Sequence, residues 1–143
     1  MARMSMRVDF SDRSTQVSRR IVQAMKDAMT DVTLDLKRVA SQSAPHDTGY
    51  LERNASHSIS VGRDKLEGVV GFSAVENGFN YAQWTHDKQY NLGEKSAMKT
   101  GGRSGIGGGG MIPVGTGYLK NTLEKNKRGY IEYLKQSYRE AIR

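Results

Sequence analysis

The sequence predicts an α+β fold: a long first helix, a small antiparallel sheet, a flexible glycine-rich loop and a C-terminal helix. Three observations predict it. Apolar residues recur at helical spacing early in the chain, two short runs of strand-forming residues flank a polar turn, and a second helical pattern ends the chain. The 143 residues are enough for a single domain over 1–143 with one core.

The first helix is predicted over roughly 13–42. An apolar residue stands every three or four positions there: Val17, Ile21, Met25, Ala28, Val32, Leu36 and Val39. Serine and aspartate at 11–14 can cap its free amides, and Pro45 disfavours helical geometry at Ala44. Residues 1–12 are then expected to form a flexible N-terminal arm.

The small sheet is predicted from two runs that follow. In residues 57–61 Ile59 and Val61 alternate with serines, and residues 68–75 are rich in strand formers. Residues 62–67 between them are polar and suit a hairpin connection. The aromatic segment 80–86 is short and fits either a helix or a strand.

The second half of the chain begins without periodicity. Seven of the sixteen glycines lie between Gly101 and Gly110, so residues 87–112 are expected to form a flexible loop. A closing helix is predicted over 116–143, with a gap in its apolar pattern at Lys127 and a glycine, Gly129, inside it. Its apolar residues are Leu119, Leu123, Tyr130, Leu134, Tyr138 and Ile142.

Both prolines of the chain open copies of one short motif. Residues 45–51 and 113–119 match at five of seven positions. One interpretation is that each copy marks a helix start, with its threonine as a cap. The other is that Tyr50 and the pair Tyr118–Leu119 have equivalent roles at a subunit contact, where tyrosine is enriched. The matching residues leave both open.

Enzyme chemistry finds little support in the residue pattern. The chain has no cysteine, which excludes disulfides, thiolate metal sites and cysteine catalysis. Its histidines, His46, His57 and His86, are not spaced to place two ligands on one helix face. The glycine tract lacks the Lys-Ser/Thr that completes a phosphate-binding loop. We therefore expect no enzyme, no cofactor and no metal; a small hydrolase that uses the histidines is the hypothesis this expectation opposes.

The charge of the chain points to an acidic partner. The formal net charge is +7, and residues 101–143 alone carry eight bases and three acids. Such an excess suits a nucleic acid or an acidic protein surface, and it is also typical of a solvated helix face without any partner. A basic, non-enzymatic nucleic-acid-binding protein is therefore the alternative function. No apolar run approaches the roughly 18–20 residues that cross a bilayer, so no membrane partner and no signal peptide are expected.

An ordered series of segments resembles a known family. It comprises Ser43-Ala-Pro-His-Asp-Thr-Gly-Tyr-Leu51, Ser58-Ile-Ser-Val61, a Val-Val-Gly-Phe run, and Asn80-Tyr-Ala-Gln-Trp-Thr-His86. The series is similar to the tailed-phage minor capsid and tail-completion proteins, which include the head–tail joining proteins of the neck. Their pattern is a long helix, Ala-Pro-x-Asp-Thr-Gly-x-Leu, a small sheet, Tyr-Ala closely followed by His or Glu, a variable loop and a closing helix. The chain departs from it in its long glycine-rich loop and its long, basic last helix.

The resemblance implies a structural virion protein of the neck, made in the host cytoplasm and assembled as a homo-oligomeric ring, a hexamer or a dodecamer. Its implied partners are a head-closure or connector protein and a tail terminator or tail tube, with non-specific contact to passing DNA. Two residue sets follow from it. The structural motif comprises Pro45, Asp47, Thr48, Gly49, Leu51, Tyr81, Ala82 and His86. The expected assembly contacts comprise Tyr50, Arg103, Tyr118, Leu119, Lys127 and Arg128.

Overall fold

The computed structural model describes residues 2–9, 19–45, 54–62, 65–73, 75–76, 79–88, 92–93, 96 and 98–143. Two long helices, α1 and α3, and one short helix, α2, alternate with strands in the described part of the chain. In chain order the elements are β1 (Ala2–Asp9), α1 (Arg19–Ser43), β2 (Ala55–Val61), β3 (Lys65–Phe72), β4 (Val75–Glu76), β5 (Phe79–Asn80), α2 (Tyr81–Asp87), β6 (Gly102–Arg103), β7 (Met111–Ile112) and α3 (Tyr118–Ala141).

The main sheet has β3 at its centre, with β1 on one side and β2 on the other, both antiparallel to it. Alternate residues of β3 point at α1, and they are buried: Leu66, Gly68, Val70 and Phe72. The approach is close at Gly68, where a Cβ would lie 2.3 Å from the Thr33 hydroxyl oxygen. The glycine thus lets the long helix rest directly on the central strand.

The two long helices lie side by side and antiparallel. Tyr130 of α3 bonds to Asp35 of α1, and Tyr133 bonds to Asp31, so residue numbers fall on one helix as they rise on the other. Helix α1 packs on the sheet as well as on α3. One buried cluster joins all three layers: Val32, Leu36, Ala40, Ala44, Val70, Phe72, Ala82, Tyr118, Leu119 and Tyr130.

The predicted α+β class is confirmed, with the long helix packed on the small antiparallel sheet. The predicted helix start lies in residues 10–18, outside the described part. Strand β3 begins at Lys65, earlier than predicted, because the Gly62 N–H donates to the Lys65 carbonyl at 2.8 Å and so extends the pairing of the two strands to these residues. The ambiguous segment forms the helix α2 after a short strand.

The flexible N-terminal arm is a wrong prediction for residues 2–9. They form β1, which pairs with β3 along its whole length, from Ala2 opposite Phe72 to Asp9 opposite Lys65. These residues form a strand because apolar side chains recur at every second position: Met4, Met6 and Val8 all pack against the core. The rest of the predicted arm lies outside the described residues.

The flexible coil is also a wrong prediction for residues 101–112, named the glycine loop from here on. Its two ends pair as strands β6 and β7, with Gly102 opposite Ile112. The loop packs on α1 and α3 through specific hydrogen bonds, described below.

None of the helices in the described residues is long and apolar enough to cross a membrane.

Candidate functional site

The structural motif implied by the resemblance is only partly described. Pro45 is half-buried just after the end of α1. The following motif residues, Asp47, Thr48, Gly49 and Leu51, lie outside the described residues, as does the expected contact residue Tyr50. Tyr81 begins α2, and Ala82 and His86 of that helix are buried.

His86 holds the start of α3. Its Nε2 accepts the backbone N–H of Lys120 at 3.1 Å, and its carbonyl accepts the N–H of Gly117 at 2.7 Å. These amides belong to the free amino end of a helix, so His86 caps α3 from another element. Because Nε2 accepts, the ring proton is on Nδ1, which donates to the Asp87 carboxylate at 3.0 Å. That bond, with one from Gln83, lowers the pKa of Asp87.

The capping prediction for the second proline motif is therefore wrong. The N-cap of α3 is Gly117, in the left-handed region at φ 73°, and no side chain of its own caps the helix. Thr116 instead donates its hydroxyl to the carbonyl of Lys88. The residue that caps α3, His86, and the residue that binds Thr116, Lys88, both lie in a distant segment of the chain, so the local motif does not predict them.

Tyr118 and Leu119 are wrong as expected assembly contacts, because both are fully buried within the subunit. The Tyr118 hydroxyl donates to the Ala82 carbonyl at 2.9 Å. Its ring meets Phe72 and His86 edge-on, with centroids 5.1 Å apart in each pair. The second Tyr-Leu pair thus locks α3 to α2 and the sheet.

The glycine loop is held by one buried carboxylate. Asp35 of α1 accepts hydrogen bonds from the Ser104 hydroxyl at 2.5 Å, the Tyr130 hydroxyl at 2.7 Å, the Gly105 N–H at 3.1 Å and the Arg38 guanidinium at 3.1 Å. The carboxylate therefore ties the loop, α1 and α3 together. We name Asp35, Ser104 and Tyr130 the carboxylate clamp.

Hydrogen bonding also sets the ionisation of the clamp. Burial acts to raise the pKa of Asp35, but the bonds from Ser104, Tyr130, Gly105 and Arg38 outweigh it and hold that pKa below its usual value. Burial, together with the bond to Asp35, raises the pKa of the Tyr130 hydroxyl. Asp35 is thus a carboxylate at neutral pH and Tyr130 a neutral donor.

Close backbone contacts complete the seating of the loop on α3. Gly109 donates its N–H to the Asn126 side-chain oxygen at 2.8 Å. A Cβ at Gly107 would lie 2.4 Å from the Asn126 Cβ, and one at Gly129 would lie 2.0 Å from the Gly107 carbonyl oxygen. Glycine stands at these positions because the loop backbone touches the helix.

These contacts decide what the residues can do chemically. The clamp residues and Asn126 are buried, and their polar groups form hydrogen bonds within the subunit. Their role is therefore structural: they hold the glycine loop and the two long helices together. His57 is exposed and lies beside Lys37, whereas His86 is buried. Among the described residues no group of three or more His, Asp or Glu side chains could hold a metal ion.

Arg103, Lys127 and Arg128 remain available as assembly contacts because all three are exposed. Arg103 extends from the glycine loop, and its carbonyl accepts a bond from Arg38 at 3.0 Å. The same helix α3 exposes the apolar residues Ile131, Tyr138 and Ile142. The exposed residues of α3 thus form a basic surface that also contains apolar residues.

Sequence reasoning missed Asp35, Ser104 and Asn126. A signal existed for Asn126, which fills the gap in the apolar pattern between Leu123 and Tyr130 and is fully buried. Asp35 borders the apolar stripe at Leu36, yet nothing local marks Ser104 as its partner.

Comparison of the chain with protein-family models, with curated proteins and with solved structures finds no match.

Proposed function

We propose that the chain is a structural subunit of the neck of a tailed bacteriophage. Copies would form a ring at the head–tail junction that completes the tail or joins it to the capsid connector. The observation that carries the proposal is the ordered motif series from Ser43 to His86. The α+β arrangement, a long helix on a small antiparallel sheet with a closing helix, is the one that the resemblance implies.

The exposed cations supply the contacts that such a part needs. A ring subunit binds its neighbours laterally and different proteins above and below, and a closed ring repeats one heterologous contact. Arg103, Lys127 and Arg128 are exposed on a scaffold that the carboxylate clamp makes rigid. We assign them to contacts with acidic surfaces of the neighbouring neck proteins.

Electron microscopy of phage particles tests the proposal. Particles made without the protein should be separate heads and tails, and the wild-type gene supplied in trans should restore joining. The double variant Lys127→Glu/Arg128→Glu should fail to restore it. Lys26→Glu, which reverses an exposed charge on α1, is the matched control and should restore it. Joined, infectious virions in the absence of the protein would refute the proposal.

The basic surface also favours a second candidate, non-specific binding of nucleic acid. Residues 101–143 carry a formal charge of +5, and the glycine loop contains one arginine and no acid. Binding carried by phosphate contacts weakens steeply as salt rises. Failure of the purified protein to retard duplex DNA at low salt would remove this candidate.

A further inference from the structure

The hydrogen-bond phase of the main sheet determines which backbone groups of β2 face outward. The Gly62 N–H donates to the Lys65 carbonyl, so this pair closes the hairpin. Hydrogen-bonded and non-hydrogen-bonded pairs alternate from there along an antiparallel ladder. Even-numbered residues of β2 therefore bond to β3, and the N–H and C=O groups that point away belong to Ala55, His57, Ile59 and Val61. None of the described residues adds a strand at this edge.

The two edges of the sheet differ in their protection. The same phase places Arg3, Ser5, Arg7 and Asp9 at the outward positions of β1. Charged side chains on an edge strand discourage pairing with another chain. Strand β2 carries no Lys, Arg, Asp, Glu or Pro, and its register with β3 runs through seven consecutive pairs without a bulge. Within the described part of the chain, edge β2 thus has no charged side chain, proline or bulge of its own to discourage pairing with another strand.

We propose that β2 pairs antiparallel with β2 of a second copy of the chain, about a two-fold axis at Ser58. The serines at 56, 58 and 60 are symmetric about that residue. Ser56 then faces the partner's Ser60, and paired hydroxyls across strands are favourable. The backbone N–H and C=O groups that point outward also find partners, since His57 and the partner's Ile59 form a hydrogen-bonded pair.

The charges of the two edges favour this occupant over the β1 edge of another copy. The β2 strands themselves bring no charged side chain to the junction, where the nearby cation is Lys37 of α1 beside His57. Strand β1 would bring Arg3, Arg7 and Asp9 to it. A two-fold contact is self-complementary and closes on itself. It would join two sheets into one continuous sheet whose outer strands are the charged β1 strands.

This inference stands on the sheet alone and goes beyond the proposed function. A pair that uses both β2 edges is the form expected of the free protein before assembly. The ring contacts proposed above use the glycine loop and α3, so the two proposals can fail separately.

Disulfide trapping tests the register, because the chain contains no cysteine. In the proposed pair Ser58 faces the partner's Ser58 at a non-hydrogen-bonded position, with Cα atoms about 4.5 Å apart, a separation that a disulfide spans. Ser58→Cys should therefore form a covalent dimer under mild oxidation. Ser60→Cys is the matched control and should not, since the two thiols would lie about 13 Å apart along the strands.

Sedimentation equilibrium tests the association itself. The wild type should sediment at twice 15.9 kDa. Val61→Lys adds a charge at an exposed outward position and should raise the dissociation constant by at least about tenfold. Ser5→Lys, the same change on the β1 edge, should leave it unaltered.

A wild-type monomer up to about 100 µM would overturn the proposal. Cross-linking of both cysteine variants alike would overturn the register, and loss of the dimer in Ser5→Lys alone would assign the contact to β1.

Discussion

Gly129→Ala puts two opposing effects in competition at one position of α3. In an unobstructed helix interior, alanine is more stable than glycine by about 1 kcal/mol. Here the new methyl group would lie 2.0, 2.5 and 2.6 Å from the carbonyl oxygen, carbonyl carbon and Cα of Gly107. These are backbone atoms, so no side-chain rotation relieves the overlap, and the loop has to retreat by about 1 Å to reach a tolerable contact.

The retreat works against the bonds that seat the glycine loop. Gly109 bonds to Asn126 at 2.8 Å, and Gly107 donates to Ser104 at 2.6 Å. Overpacking typically costs about 1–3 kcal/mol, and each weakened bond adds about 0.5–1.5 kcal/mol. With both bonds weakened and the helix-propensity gain of about 1 kcal/mol subtracted, we expect a net destabilisation of about 1–5 kcal/mol.

Urea denaturation followed by far-ultraviolet circular dichroism measures whether Gly129→Ala raises or lowers the free energy of unfolding. With a slope of about 1–3 kcal/mol per molar, the midpoint of Gly129→Ala should fall by at least about 0.3 M. Gly93→Ala is the matched control, because a Cβ there meets nothing within 4 Å, and its free energy of unfolding should stay within about 0.5 kcal/mol of wild type. If Gly129→Ala is instead more stable than wild type, helix propensity dominates and the seating argument is refuted.

The remaining predictions concern buried polar groups. Asp35 has a lowered pKa, so its stabilisation is present above about pH 4 and is lost as pH falls through the folded pKa. The stability difference between wild type and Asp35→Asn should therefore narrow as pH falls below about 4, and a constant difference would contradict this. Tyr130→Phe removes a donor to Asp35 and should lower the free energy of unfolding in urea by about 1–2 kcal/mol; an unchanged midpoint would count against the clamp. Thr33→Val should raise it by about 1 kcal/mol, because the Thr33 hydroxyl oxygen is buried without a partner within the described residues; a lower melting temperature would show that the hydroxyl is satisfied.

Local patterns in the sequence predict α1, β2, β3 and α3 because each of them buries one face at its own period. The same reasoning fails for β1, although Met4, Met6 and Val8 alternate there as in any strand. The charged residues at its outward positions, Arg3, Arg7 and Asp9, are typical of an edge strand, but in the sequence alone they are equally typical of a flexible arm.

The glycine loop fails for a different physical reason. Its composition favours a coil, yet its order comes from contacts with residues far away in the chain. Ser104 and Asp35 are 69 positions apart, and Gly107 rests against Gly129 in the middle of α3. Glycine is then required by close approach rather than by flexibility, and no local pattern separates the two uses.

Buried and exposed charges are separated within the subunit. Asp35 is buried and accepts hydrogen bonds from four donors, so its negative charge is compensated inside the subunit. Lys127 and Arg128 are exposed to solvent on α3. The edge of β2 belongs to the sheet, on the other side of α1 from the glycine loop. One subunit therefore offers an uncharged strand edge and a basic helical surface at the same time. If both proposals hold, Val61→Lys should weaken the free dimer at least about tenfold and still restore joined virions, whereas Lys127→Glu/Arg128→Glu should dimerise normally and leave heads and tails apart.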